Sequence, residues 1–133
     1  MCDHEKILDR VRAAVAETLS IELDEAQADQ RFFADLGAES IDWLDLTFRI
    51  DRDFGARLPG LGNFEGIATD AEGRYLPNGI AALREFMPGS LLDRWVDPTA
   101  LPTAKELAEE ITVSDIAGMI EMALRGQEAI PSQ

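Results

Sequence analysis

The stretch that most constrains this chain is Asp35-Leu36-Gly37-Ala38-Glu39-Ser40-Ile41-Asp42. Gly37 can take a positive φ, which a residue with a Cβ adopts only at a cost, so the chain can turn sharply there. Ser40 then opens a segment in which Leu46, Ile50 and Phe54 recur at four-residue steps, the spacing of one helix face. The expected helix runs from Ser40 to Phe54 and stops at Gly55 in the C′ position. Serine is a favoured helix N-cap, and the free N–H groups and dipole of a helix N-terminus favour an anion beside them. On these residues alone, Ser40 also reads as a cap that carries nothing.

The octapeptide resembles the attachment motif of the acyl carrier protein family, whose members typically read Asp-Leu-Gly-x-Asp-Ser-Leu-Asp. The likeness continues in Phe33-Ala34 before it and Asp53-Phe54-Gly55 after it. Thr112-Val113-Ser114-Asp115-Ile116 is similar to the start of the family's last helix. The resemblance covers roughly residues 3–59 and 102–125. It implies a mainly α fold, an acyl-carrier-like four-helix bundle, in which Ser40 holds 4′-phosphopantetheine in phosphodiester linkage and the arm's thiol carries an acyl group. It also implies that the chain is not an enzyme by itself. Its partners would be a phosphopantetheinyl transferase and acyl-transferring or acyl-modifying enzymes with basic docking patches, which Ile41, Asp42 and Asp45 would meet. The pathway class implied is a specialised fatty-acid, lipid or polyketide route. Three departures bear on the modifying enzyme and the cargo: Glu39 for the usual aspartate, Ile41 for the usual leucine, and Trp43 where a smaller residue is usual.

The remaining ends of the chain read as helices. Ile7, Leu8, Val11, Val15 and Leu19 mark one face of a first helix from Asp3 or His4 to about Leu19, with Asp3 as a cap. Ser20 to Glu39 reads as a long connection pinned by Ile21, Leu23, Phe32, Phe33 and Leu36. Asp45 and Arg49 stand at i,i+4 and can pair, a contact worth ~0.3–0.5 kcal/mol on an exposed helix. Leu44 and Phe48 are expected on a strip adjoining the core-facing side of the second helix. With Trp43, one turn past Ser40, they are candidates for lining an acyl site. Thr103 to Glu110 reads as a short helix. Thr112 caps a final helix with Val113, Ile116, Ile120 and Leu124 on its buried face, and 126–133 reads as a frayed tail.

Between these ends lies a segment with no counterpart in an ordinary small carrier, an insertion at 60–101 within a single carrier domain of 1–133. It is rich in Gly and Pro yet holds Phe64, Tyr75, Leu83, Phe86, Leu91, Leu92 and Trp95, enough apolar surface to fold, and it is expected to be partly helical. Ile67-Ala68-Thr69 and Arg74-Tyr75-Leu76 flank Asp70-Ala71-Glu72-Gly73 as a short hairpin. Asn78 caps a helix from Gly79 to Met87, and Ser90 with Asp93 is spaced like a capping box for one more turn. The segment is expected either to pack against the second helix near Trp43 and create or cover the acyl site, or to pack only on itself while Trp43 completes the helix-bundle core.

Composition excludes rather than assigns. The formal net charge of -14 repels nucleic-acid phosphates and anionic lipid headgroups and attracts basic protein patches; acidity that merely keeps the protein soluble explains the same number. Cys2 is the only cysteine and His4 the only histidine, so neither a disulfide framework nor a cysteine–histidine metal site is expected, and a hydrolase lacks its base and its Gly-x-Ser-x-Gly elbow. No stretch approaches the ~18 apolar residues of a membrane span, and residues 1–6 lack the pattern of a secretory signal. A cytoplasmic, monomeric protein without membrane insertion is the expectation. Two rival readings are an unmodified carrier-like interaction module, and an aminoacyl or peptidyl carrier, which the missing second glycine in Gly37-Ala38-Glu39-Ser40 disfavours.

Overall fold

In a computed structural model, residues 4–58, 69–85, 87–95, 97 and 99–129 are described. Elements there are helical: α1 (His4–Leu19), a 3₁₀ turn (Leu23–Glu25), α2 (Ser40–Phe54), α3 (Pro77–Leu83), α4 (Gly89–Leu92), α5 (Ala104–Glu109) and α6 (Val113–Ala129). Among the described residues, β pairing is confined to isolated bridges, Arg31 with Thr112, Thr69 with Tyr75 and Arg74 with Thr103. The mainly α fold expected from the sequence is the one observed.

α1 buries Ile7, Val11 and Val15 and packs against both α2 and α6. It ends where Ser20 takes a left-handed φ of 57° and Ile21 N–H donates to the Ala16 carbonyl at 3.0 Å. α6 buries Val113, Ile116 and Ile120 and runs to Ala129, so 126–129 continue the helix instead of fraying. Thr112 caps it as expected: its Oγ1 accepts the Asp115 N–H and Asp115 Oδ2 accepts the Thr112 N–H, both at 3.0 Å. Thr103 and Glu106 make the same reciprocal box at the start of α5.

The connection from Ser20 to Glu39 is stitched to the chain's far end. Phe32 N–H donates to the Ile111 carbonyl (2.8 Å), Val113 N–H to Gln30 (3.0 Å) and Ser114 N–H to Ala28 (2.9 Å). These bonds bring the approach to α2 against the junction of α5 and α6, and so they decide what stands beside Ser40.

The middle of the chain folds onto α5 and α6. Asp70 turns the chain, its Oδ1 accepting from the N–H groups of Glu72 and Arg74, and Gly73 completes the turn at φ 82°. The expected hairpin is therefore present as a turn with one bridge; its arm at 67–68 lies outside the described residues. Tyr75 N–H donates to Pro102 at 2.8 Å, and Arg74 reaches the Leu101 carbonyl and Glu106. α3 begins at Pro77, not Gly79, with Leu76 as N-cap. Proline suits the first helical position because its fixed φ is preorganised and its missing N–H is not needed there, so Asn78 is not the cap. α4 has Pro88 as its N-cap, and Asp93 pairs with Arg84 at 3.0 Å; the Ser90 side chain lies outside the described residues. Gly118 of α6 allows Pro88 to approach: a Cβ there would stand 3.3 Å from the proline ring. The segment is anchored on α5 by the Arg74–Glu106 pair and on α6 by the Pro88–Gly118 contact. Tyr75, Leu83, Met87, Leu91, Leu92 and Leu101 join Trp43, Leu46 and Ile116 in one buried cluster. The expected contacts of Phe64 and Phe86, and the Asp3 cap, lie outside the described residues.

Candidate functional site

Gly37 takes φ +73°, and a Cβ placed there would meet nothing within 4 Å. Its requirement for glycine is therefore the backbone conformation itself, as the sequence suggested. Ahead of it, Asp35 folds back on Arg31. Its carboxylate accepts the Arg31 backbone N–H at 2.8 Å and two guanidinium N–H groups at 3.1 Å. These hydrogen bonds hold the Asp35 carboxyl below its ordinary pKa. Ala38 N–H then donates to the Phe32 carbonyl at 3.3 Å, closing the loop that delivers the chain to α2.

The cap of α2 is Glu39, not Ser40. Glu39 is extended (φ -113°, ψ 171°), and its N–H donates to Asp42 Oδ2 at 2.8 Å. Ser40 is the first helical residue and is exposed. Among the described residues its hydroxyl makes no hydrogen bond, whereas an N-cap serine would engage an amide of the first turn. The shift goes with the Asp42 carboxylate, which closes back onto the Glu39 N–H, and with the extended backbone of Glu39.

Ser40 opens onto a cleft of about 450 Å³ lined by Phe33, Ala34, Ala38, Glu39, Lys105, Ala108 and Glu109. One wall is the loop before α2 and the other is α5. The chemistry of this lining fits a phosphopantetheine on the serine: an exposed primary hydroxyl, free volume beside it, small apolar floor residues, a lysine, and a helix N-terminus that favours an anion.

The other predicted site residues divide into two sets. Trp43 is 1% exposed and packs edge-on against Phe32 (centroids 5.7 Å) and beside Phe33 (5.8 Å). Ile41, Leu44 and Phe48 stand 68%, 53% and 65% exposed along α2. Leu44 and Phe48 therefore face outward instead of adjoining the core, because successive helical residues turn by about 100° and the buried face is taken by Trp43, Leu46 and Ile50. Asp45 is exposed and pairs with Arg49 at 3.2 Å, while Arg49 also reaches Glu17 at 3.0 Å. Asp42 is committed to the cap. The structure thus brings Ile41, Leu44, Asp45 and Phe48 to the outer surface of α2 and separates Trp43 from them.

Sequence reasoning missed Lys105, Ala108 and Glu109 at the cleft, since α5 carries no local mark of lying near Ser40. It also missed the chain of charges running from Asp35 through Arg31 to Glu110 (3.1 Å) and on to Arg94 (3.4 Å). His4 pairs with Glu121 at 3.0 Å, and among the described residues no cluster of His, Cys, Asp or Glu is placed to hold a metal. No helix among them is long and apolar enough to cross a membrane.

Residues 9–61 match the family described as the phosphopantetheine attachment site. The chain is 40% identical over 65 residues to an acyl carrier protein of Prochlorococcus marinus, covering 49% of this chain and 80% of that one. It is 37% identical over 51 residues to the acyl carrier protein AcpXL of Mesorhizobium japonicum, covering 38% of this chain and 55% of that one. No solved structure matches it.

Proposed function

Because this chain belongs to the acyl carrier protein family, we propose that it carries an acyl intermediate on 4′-phosphopantetheine attached to Ser40, in a specialised fatty-acid, lipid or polyketide pathway. Carriers of this family are not enzymes, and the arm supplies the thiol on which the acyl group travels. The observation that supports the assignment to Ser40 is its hydroxyl: exposed, without a hydrogen bond among the described residues, and at the first turn of α2 beside an open cleft. In attachment, Ser40 Oγ forms the new bond to phosphorus as the pyrophosphate P–O bond of coenzyme A breaks. Adenosine 3′,5′-bisphosphate leaves, and the serine proton passes to a base of the transferase. Gly37 and the Asp35–Arg31 bonds hold the serine outward for this.

Partner enzymes dock on the outer surface of α2. The apolar residues Ile41, Leu44 and Phe48 supply contact area, Asp45 supplies charge, and the net charge of -14 attracts a basic patch. Asp42 contributes mainly by fixing the helix start. The chain acts as one carrier domain in which 60–101 is an insertion, a reading supported by the residues it contributes to the shared buried cluster. Intact mass decides the attachment. Incubation with coenzyme A and several transferases adds one pantetheine arm to the protein and none to Ser40→Ala. Failure of every transferase to add mass to the unaltered protein would leave the rival reading, an interaction module that is never modified.

A further inference from the structure

The cleft beside Ser40 contains one feature that attachment alone does not require. Lys105 lines it from α5, between Ala104 and Glu106, and among the described residues Lys105 forms no ion pair. Among the described arginines, Arg31, Arg49, Arg52, Arg74, Arg84 and Arg94 pair with carboxylates within 3.4 Å and Arg57 at 3.9 Å, whereas Arg10 and Arg12 bond to backbone carbonyls. What sets Lys105 apart is its place: it is the one basic residue among those lining the cleft beside Ser40, in a protein with 26 acidic and 12 basic residues. The acids that line the same cleft, Glu39 and Glu109, would repel a second anion placed between them.

We propose that Lys105 is a positioning residue for the arm: its ammonium pairs with the phosphodiester on Ser40, and the cleft seats the carbons that follow. The proposal rests on the reading that Ser40 carries the arm. The chemistry of the arm matches the residue types of the lining. Its phosphate, which adds a negative charge beside Ser40, is followed directly by a methylene and a carbon bearing two methyl groups. Phe33, Ala34, Ala38 and Ala108 present small apolar surface for those carbons. Below Ser40 the way into the core is filled by Trp43 packed on Phe32 and Phe33, so the arm's first carbons are directed sideways over α5. An exposed ion pair is weak and screened by salt, which suits a seat that must release the arm to a partner's active site. The seat biases the arm toward one side of the molecule without holding it.

The test uses the full chain with Cys2→Ser, so that the arm's thiol is the only one to take a nitroxide label. Mass spectrometry first establishes loading. Amide spectra of the paramagnetic and reduced forms then report which residues the arm visits. In the unaltered background, Lys105, Ala108 and Ala34 amides broaden, and added salt weakens the effect. Lys105→Met reduces the seated fraction by roughly two- to fivefold, the range expected for an exposed pair. Lys105→Glu reduces it further and Lys105→Arg restores it. The ³¹P resonance of the phosphodiester shifts in the same order. Normal loading with broadening in Lys105→Met and Lys105→Glu identical to that of the unaltered background overturns the seat and leaves the carrier reading standing. No mass gain in any form overturns both.

Discussion

An N-cap serine commits its hydroxyl to an amide of the first turn, whereas here Glu39 occupies the cap and Asp42 closes onto the Glu39 N–H at 2.8 Å. The shift of one residue leaves Ser40 inside the first turn with its oxygen available. The octapeptide showed that a turn and a helix start meet at this point, but side-chain preference favours the serine as cap, and it is the Asp42 bond to the Glu39 N–H that goes with the start one residue earlier. Asp35 shows how the loop before it is held. Its pKa is lowered chiefly by the hydrogen bonds from Arg31. A carboxyl whose folded pKa lies below its unfolded value, near ~3.9, stabilises the fold above that value and loses the contribution as pH falls through the folded pKa. The difference in thermal midpoint between the unaltered protein and Asp35→Asn should therefore be largest at neutral pH and shrink toward zero in strong acid. Circular dichroism melts across that range test it; a difference that grew on acidification would contradict the pairing.

α2 presents two apolar stripes, and only one of them is core. Trp43, Leu46 and Ile50 are buried, while Ile41, Leu44 and Phe48 follow i, i+3 and i+7 along the outside. Periodicity found the helix and its end at Gly55, which takes φ 67° as a left-handed stop. The four-residue step put Leu46 and Ile50 on the buried face, but it placed Leu44 and Phe48 beside that face where they stand exposed. Outward apolar residues cost little when truncated, since surface changes usually stay within ~0.5 kcal/mol. Under the docking proposal, Phe48→Ala and Ile41→Ala should leave the melting midpoint nearly unchanged yet weaken binding to a modifying transferase. Asp45→Lys should weaken it as well, most at low salt, at the loss of only ~0.3–0.5 kcal/mol from the Arg49 pair. Calorimetric titrations at two ionic strengths would show it, and affinity indifferent to all three changes would place docking elsewhere.

For the whole molecule, the middle segment contributes to the same core as the helices at the two ends. Leu91 and Leu92 are fully buried, and Pro88 lies against Gly118. Truncating such a leucine typically costs ~2–5 kcal/mol through lost burial and the cavity left behind. Leu92→Ala should then lower the stability of the entire chain. In a Trp95→Phe background, Trp43 fluorescence and far-ultraviolet dichroism should shift together in one urea transition. Two separated transitions would mean that the middle segment folds by itself. The sequence alone determined what depends on neighbours along the chain: the periods of α1, α2 and α6, the glycine turn before Ser40, and the cap at Thr112. It misplaced the start of α3 by reading Asn78 as a cap where Pro77 was already suited to the first helical position. The tertiary structure decided the surroundings of Ser40. One wall of its cleft is Phe33, Ala34 and Ala38, and the other is Lys105, Ala108 and Glu109. The backbone bond from Phe32 to Ile111 brings those walls together. Such a bond joins groups that every residue except proline possesses, so its partner is set by how the helices pack and leaves no mark in the residues on either side.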